Sequence, residues 1–162
     1  MAPVLSSSNV RITSMTVSSG GHPIIRCTDG ITHTYDEAMM SWVKIAEPWW
    51  SHGSEAWPKR LKPGILRGYV DSLESAIDVP HSRPPRADSQ DWGLTLTLGH
   101  LETKMHASAV LDSAEDFRQA LSHYAKRLGQ DGLKDKADEL IRELYGPQNQ
   151  WVLYSSVDTL HH

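Results

Sequence analysis

Residues 22–45 read HPIIRCTDGITHTYDEAMMSWVKI. Two β-prone runs flank Asp29-Gly30. That dipeptide suits a tight type I′ turn, whose two central residues both need positive φ, so the stretch predicts a β-hairpin. A second turn near Asp36-Glu37 leads into Ser41-Trp42-Val43-Lys44-Ile45, which completes a three-stranded antiparallel meander the size of one propeller blade. A lone meander is marginal in water, so one of its faces requires a cover.

Upstream, Val10 and Ile12 alternate with polar neighbours and propose a further short strand, ended by SSGG at 18–21, while residues 1–8 read as disordered. Downstream the period changes. Pro63 suits a first helical turn, and Leu66, Tyr69, Val70, Leu73 and Ile77 follow on one stripe. Residues 79–91, VPHSRPPRADSQD, are Pro-rich and aperiodic and read as a surface loop. A longer helix is expected over about 94–111, with Leu94, Leu98, Leu101, Met105 and Ala109 on its apolar face.

Ser113 and Asp116 resemble a capping box ahead of Phe117, Ala120, Leu121, Tyr124, Ala125 and Leu128, and Gly129 is the expected stop. Leu133, Ala137, Leu140, Ile141 and Leu144 repeat the stripe up to Gly146-Pro147. The short GQDG link predicts an antiparallel αα-hairpin. Strands over about 9–46 and helices over about 63–146 give an α+β fold. The expectation is one domain over 9–155, a propeller-blade-like meander packed on a helical bundle, with a tail at 156–162.

A chain of 162 residues is long enough to bury a core as one domain. With 16 Lys plus Arg against 20 Asp plus Glu, its mild acidity does not advertise nucleic-acid or anionic-membrane binding. Cys27 is the only cysteine, which excludes an internal disulfide and suits a reducing compartment. Neither a signal peptide nor a membrane span is legible, and no membrane partner is expected. The terminal His161 and His162 carry no weight as a metal site.

Templates for chemistry fail. There is no G-x-S-x-G elbow, no P-loop and no dinucleotide fingerprint. Cys27, in a predicted strand, reads as a small buried hydrophobe rather than a tuned thiolate. His100 and His106 are six apart on a predicted helix and fall off a common face, and His123 reads as a surface or hydrogen-bonded helix residue. Glu139 and Glu143 read as partners of Lys136 and Arg142 or as a solvated face. No catalytic residue, metal or cofactor is assigned, and no enzyme is expected. Lys59, Arg60, Lys62 and Arg67, interleaved with Trp57 and Tyr69, carry the ingredients of a single-stranded nucleic-acid platform. The simpler reading is the polar face of a helix.

Two blocks carry a family resemblance. IIRCTDGITHTYDEAMMSWVKIAEPWWSHGSEAW at 24–57 resembles the C-terminal domain of the HIRA/Hir family of histone-chaperone subunits, in which strand, DG turn, strand and a single Trp lead to a WW pair and a further Trp. LETKMHASAVLDSAEDFRQALSHYAKRLGQDGLKDKADELIRELYGP at 101–147 is similar to that family's closing helices. The match runs in order from about 22 to 148. The family's WD-repeat propeller and its short basic motif have no counterpart in this chain, which reads as a domain, a fragment or a degenerate paralogue. The closing Trp segment is represented only by WVLYSSVDTL at 151–160.

The resemblance implies a nuclear histone-chaperone role in replication-independent nucleosome assembly and transcriptional corepression. It implies a domain that self-associates as a trimer, docks a large helical-repeat subunit and reaches histones only indirectly. A replisome-type trimeric hub built on the same plan is the neighbouring reading. Three of the six tryptophans crowd into WWSHGSEAW at 49–57, and they belong either to an interface or to a clamp between meander and helices. The interface candidates are Trp49, Trp50, Trp57, Trp92 and Trp151; the WW pair favours the core, whereas Trp92 and Trp151, at segment edges, favour an interface.

Overall fold

The computed structural model describes residues 8–57, 68–77 and 90–145. Four strands, β1 (Ile12–Val17), β2 (Pro23–Cys27), β3 (Thr32–Asp36) and β4 (Ser41–Ala46), form one antiparallel sheet in sequential order. Four helices follow, α1 (Tyr69–Ser75), α2 (Gln90–Val110), α3 (Ala114–Gln130) and α4 (Lys134–Tyr145). The fold is α+β, strands first and helices after. The chain divides into two compact units, Met1–Tyr124 and Ala125–His162.

In the first unit the meander carries a fourth strand, because the element read from Val10 and Ile12 continues to Val17 and pairs along β2. The β2–β3 turn differs from the expected type I′. Only Gly30 has positive φ, at 81°, and Cys27 N–H bonds Ile31 O while Gly30 N–H bonds Cys27 O. This is the three-residue loop in which an ordinary turn is followed by a left-handed glycine. Asp29 works through its side chain, Oδ1 accepting the Ile31 N–H at 3.0 Å. A Cβ on Gly30 would stand 2.6 Å from Pro48 Cγ, so close approach and φ both require glycine.

At the β3–β4 turn Asp36 Oδ1 accepts the N–H groups of Ala38 and Met39, and Met40 takes a left-handed φ of 49°. Ile24 and Thr34 pair across β2 and β3. Ile24 joins Ile45, Val70, Ala107 and Leu111 in the core, with Tyr69 and Leu73 packed against it. Full burial of side chains of this size contributes roughly 1.5–3 kcal/mol each.

α1 is shorter than the helix expected from Pro63; residues 63–67 lie outside the described stretches. Seven residues cannot hold a helix alone in water. Both ends are pinned from afar. The buried Asp116 carboxylate accepts the N–H groups of Val70 and Asp71, at 2.8 and 3.4 Å, and Arg26 donates to the carbonyls of Leu73 and Ala76. An anion at the N-terminus and a cation at the C-terminus also match the helix dipole. The expected capping box is corrected by this arrangement: Ser113 Oγ donates to Asp116 Oδ2 at 2.5 Å, and the carboxylate caps α1 instead of serving its own helix.

α2 begins at Gln90, inside the stretch read as loop, and the remainder of that loop, 79–89, lies outside the described residues. Its buried face overlaps the expected one only in part. Leu98 and Leu101 are buried as expected, together with Leu96, Thr97, His100, Lys104, Ala107 and Ser108, whereas Leu94 and Met105 are half-buried and Ala109 is exposed. An apolar stripe misplaces this face because half of what α2 buries is polar.

The second unit holds the end of α3, which runs through Gly129 and stops at Gln130. The left-handed residue is Gly132, φ 65°, and Leu133 N–H reaches back to Leu128 O, the bond of a Schellman cap. α4 follows after three residues. The stripe expected to seat against the preceding helix has no buried residue, and Ile141, Leu144 and Tyr145 stand exposed.

Candidate assembly interface

The tryptophan-rich loop begins as a 3₁₀ turn, Pro48–His52, with Pro in its first turn, where the missing N–H costs nothing. Lys44 and Glu47 pair at 2.5 Å ahead of it. The turn splits the WW pair. Trp50 points inward, 5% exposed, and stacks on His100 with ring centroids 4.5 Å apart and planes at 21°. Trp57, half-buried, leans on the same imidazole at 5.8 Å and 40°.

The loop is also tied to α2 by hydrogen bonds. Ser54 Oγ lies 2.8 Å from His100 Nδ1, and Glu55 N–H donates to Thr97 Oγ1. Gly53 brings the backbone close; a Cβ there would meet Leu96 Cδ2 at 3.1 Å.

Behind His100 lies a charged cluster. Its Nε2 is 2.5 Å from Glu74 Oε1, and both side chains are fully enclosed. Glu74 Oε2 accepts from Lys104 Nζ at 3.2 Å, and the same ammonium bonds Asp71 Oδ1. Burial pulls the Lys104 pKa down, but the Glu74 charge and the Asp71 bond outweigh it, so the net shift is upward. Ser54 Oγ accepts the Ala56 N–H, which leaves its hydroxyl proton for His100 Nδ1, and the Nε2–H tautomer then completes the chain by donating to Glu74. One ammonium, two carboxylates, an imidazole and a hydroxyl thus lock α1, α2 and the loop together.

Ser54, His100 and Glu74 have the connectivity of a hydrolase triad, with the two ring nitrogens in exchanged roles. All three are buried, His100 stacked on Trp50, and none lines a cavity of about 230 Å³ bordered by Thr13, Arg26, Cys27, Asp29 and Ile77 among others. The arrangement holds the loop. Cys27 is buried, and burial raises its thiol pKa, with Asp29 adding to the rise, which keeps it protonated and inert. His106 lies 3.2 Å from Asp36, and His22 lies 3.2 Å from Asp112. Among the described residues no group of three His, Cys, Asp or Glu is arranged to hold a metal.

The outward side of the same loop is aromatic. Trp49 meets Trp92 edge to face at 5.9 Å and 85°, and His52 packs on Trp49 at 5.6 Å and 71°. Trp49 and Trp92 stay 37% and 36% exposed. The interface candidates therefore divide. Trp50 is enclosed by the fold, Trp57 is half enclosed, Trp49 and Trp92 come together at the surface, and Trp151 lies outside the described residues. Lys59, Arg60, Lys62 and Arg67 also lie outside them. The sequence reading gave no role to Glu74 and Lys104, set His100 aside as a ligand and placed Asp116 in a local capping box. The signal available was the four-residue spacing of His100 and Lys104, with Ser108 four further on, a polar stripe along one face of the helix.

A family model described as "Hira: TUP1-like enhancer of split" matches residues 1–144. Protein HIR1 of Mycosarcoma maydis is 30% identical over 163 residues, which takes in 83% of this chain and 16% of that protein. The histone transcription regulator slm9 of Schizosaccharomyces pombe is 28% identical over 158 residues, covering 89% of this chain and 19% of the relative. The chain thus spans less than a fifth of the length of these relatives. A crystal structure titled HIRA(644-1017) superposes with a TM-score of 0.67 at 17% identity, over 90% of this chain and 45% of the other, and so shares the fold.

Proposed function

The chain belongs to the Hira family, and on that premise we propose that it is a non-enzymatic self-association and partner-docking module of a nuclear histone-chaperone complex. In this reading it forms a homotrimer, docks a large helical-repeat subunit and serves replication-independent nucleosome assembly and corepression without itself gripping histones. The observation that carries the reading is the Trp49–Trp92 pair. Two large rings stand half-open, Trp49 on a loop whose inner side is fixed by the Trp50–His100 stack and the Ser54 and Thr97 bonds, and Trp92 in the first turn of α2. Rigid aromatic anchors of this kind are what interface hot spots are made of, because little side-chain entropy is lost when they are covered.

The test is truncation at the surface. Trp92→Ala and Trp49→Ala should each weaken assembly by about 2 kcal/mol or more per interface while the helical circular-dichroism signal is retained. Full assembly of the double variant would remove the pair from the interface. Turnover of a substrate by the folded protein, abolished by a point substitution, would overturn the non-enzymatic reading.

A further inference from the structure

β1 ends the sheet, and its outer row of backbone N–H and C=O groups has no ladder partner among the described residues. All six of its residues are exposed, Met15 and Val17 by 67% and 68%. The opposite edge is different: β4 packs against α1 and α2, and its Ile45 and Ala46 are fully buried. Proteins ordinarily blunt a free edge with lysine, proline or a very short strand. ITSMTV has no charge and no proline, and its one irregularity is a bulge between Ile12 and Ser14.

The register places Met15 across from Ile25, and Val17 across from Pro23, on one face of the sheet. An added strand would cover both exposed side chains and continue that face. The charges differ at the two ends. Next to Ile12 stands the exposed Arg11, whose backbone is tied to Thr28 by N–H to Oγ1 and by carbonyl to Thr28 N–H, and which makes no ion pair among the described residues. Beyond Val17 the exposed charge is Asp112, held by His22.

We propose that the outer edge of β1, unpaired among the described residues, is a docking site for an extended segment of a different protein, added antiparallel as a fifth strand. The segment is β-prone and uncharged over about five residues, a usual strand length, and carries an acidic residue at the C-terminal end, where it meets Arg11. A second copy of this chain fits less well. Pairing β1 with β1 antiparallel sets Arg11 against the region of Ser18 and Ser19, and no residue from 12 to 19 is acidic. This edge is separate from the Trp49–Trp92 pair, and the inference stands whether or not the chain trimerises.

The experiment uses the full chain and a synthetic peptide, acetyl-Thr-Val-Thr-Val-Thr-Val-Glu-amide. Binding is read by amide hydrogen exchange. The expected result is saturable protection confined to 12–17. Affinity should fall at least tenfold with the peptide N-methylated at alternate amides, with Lys in place of its Glu, and with Val17→Lys in the protein; Arg11→Glu should restore the Lys peptide. If Val17→Lys fails to fold, the N-methylated peptide decides on the wild type. The proposal is overturned by no protection at millimolar peptide, by protection only elsewhere, or by equal binding of the N-methylated form. It is equally overturned if 12–17 becomes protected with rising protein concentration alone, which would mean that a second copy covers the edge.

Discussion

Lys104→Met is the sharpest perturbation of the buried cluster. The ammonium is 7% exposed, lies 3.2 Å from the fully buried Glu74 and bonds Asp71. Its removal leaves Glu74 with the His100 N–H as the remaining donor, an uncompensated carboxylate in the interior. Breaking a buried pair in this way costs about 3–5 kcal/mol, a large share of the 5–15 kcal/mol typical of a domain. Glu74→Gln with Lys104→Met removes both charges and keeps an acceptor for His100, so the double variant should recover about 2 kcal/mol or more. Urea unfolding followed by tryptophan fluorescence and circular dichroism measures both. The pH dependence has a definite sign. The folded pKa of Lys104 is raised above the ordinary 10.5, so its stabilisation is complete below that value and is lost as pH climbs through the folded one. A Lys104→Met cost below about 1 kcal/mol, or a wild-type advantage already shrinking between about pH 7 and 9, would refute the reasoning.

Further expectations concern single sites. A Cβ on Gly68 would fall 1.9 Å from Asp116 Oδ1, so Gly68→Ala should displace the α1 cap and cost about 2 kcal/mol or more, read by chemical denaturation. Asp112 holds a left-handed φ of 54° at the end of α2, and Asp112→Gly should relieve strain and raise stability by up to about 1 kcal/mol, less whatever the His22 contact contributes. Burial lowers the His33 pKa below 6.5 against the opposing pull of Asp29, so the unfolded chain takes up this proton first as pH falls. Stability should drop below that value more steeply in the wild type than in His33→Gln. Ile141→Lys, on a helix with no buried residue, should change monomer stability by less than about 0.5 kcal/mol.

The sheet was legible because one stretch alternates with period two around turn residues, and α3 because its stripe keeps a helical period. Turn chemistry was less legible. Asp29-Gly30 reads as a two-residue turn until Gly30 is seen pressed against Pro48, and Gly129 reads as a stop although the left-handed site falls at Gly132. The site was half legible. The tryptophan cluster announces itself by composition, but the inward turn of Trp50 and the outward turn of Trp49 depend on a 3₁₀ turn that no periodicity reports. The pairings of Glu74, His100, Lys104 and Asp116 were not legible because their partners are 26 to 46 positions away, and long-range pairing leaves no local pattern; Asp116 read only as part of a local cap.

Assembly of one chain with others through the half-open Trp49–Trp92 pair is read from the solution mass of the protein. Light scattering over a range of concentration should give a wild type close to three times the 18.1 kDa of one chain, and a folded Trp92→Ala variant that dissociates. A wild type that stays strictly monomeric at high micromolar concentration would contradict the claim, and a Trp92→Ala chain that unfolds would return that ring to the core.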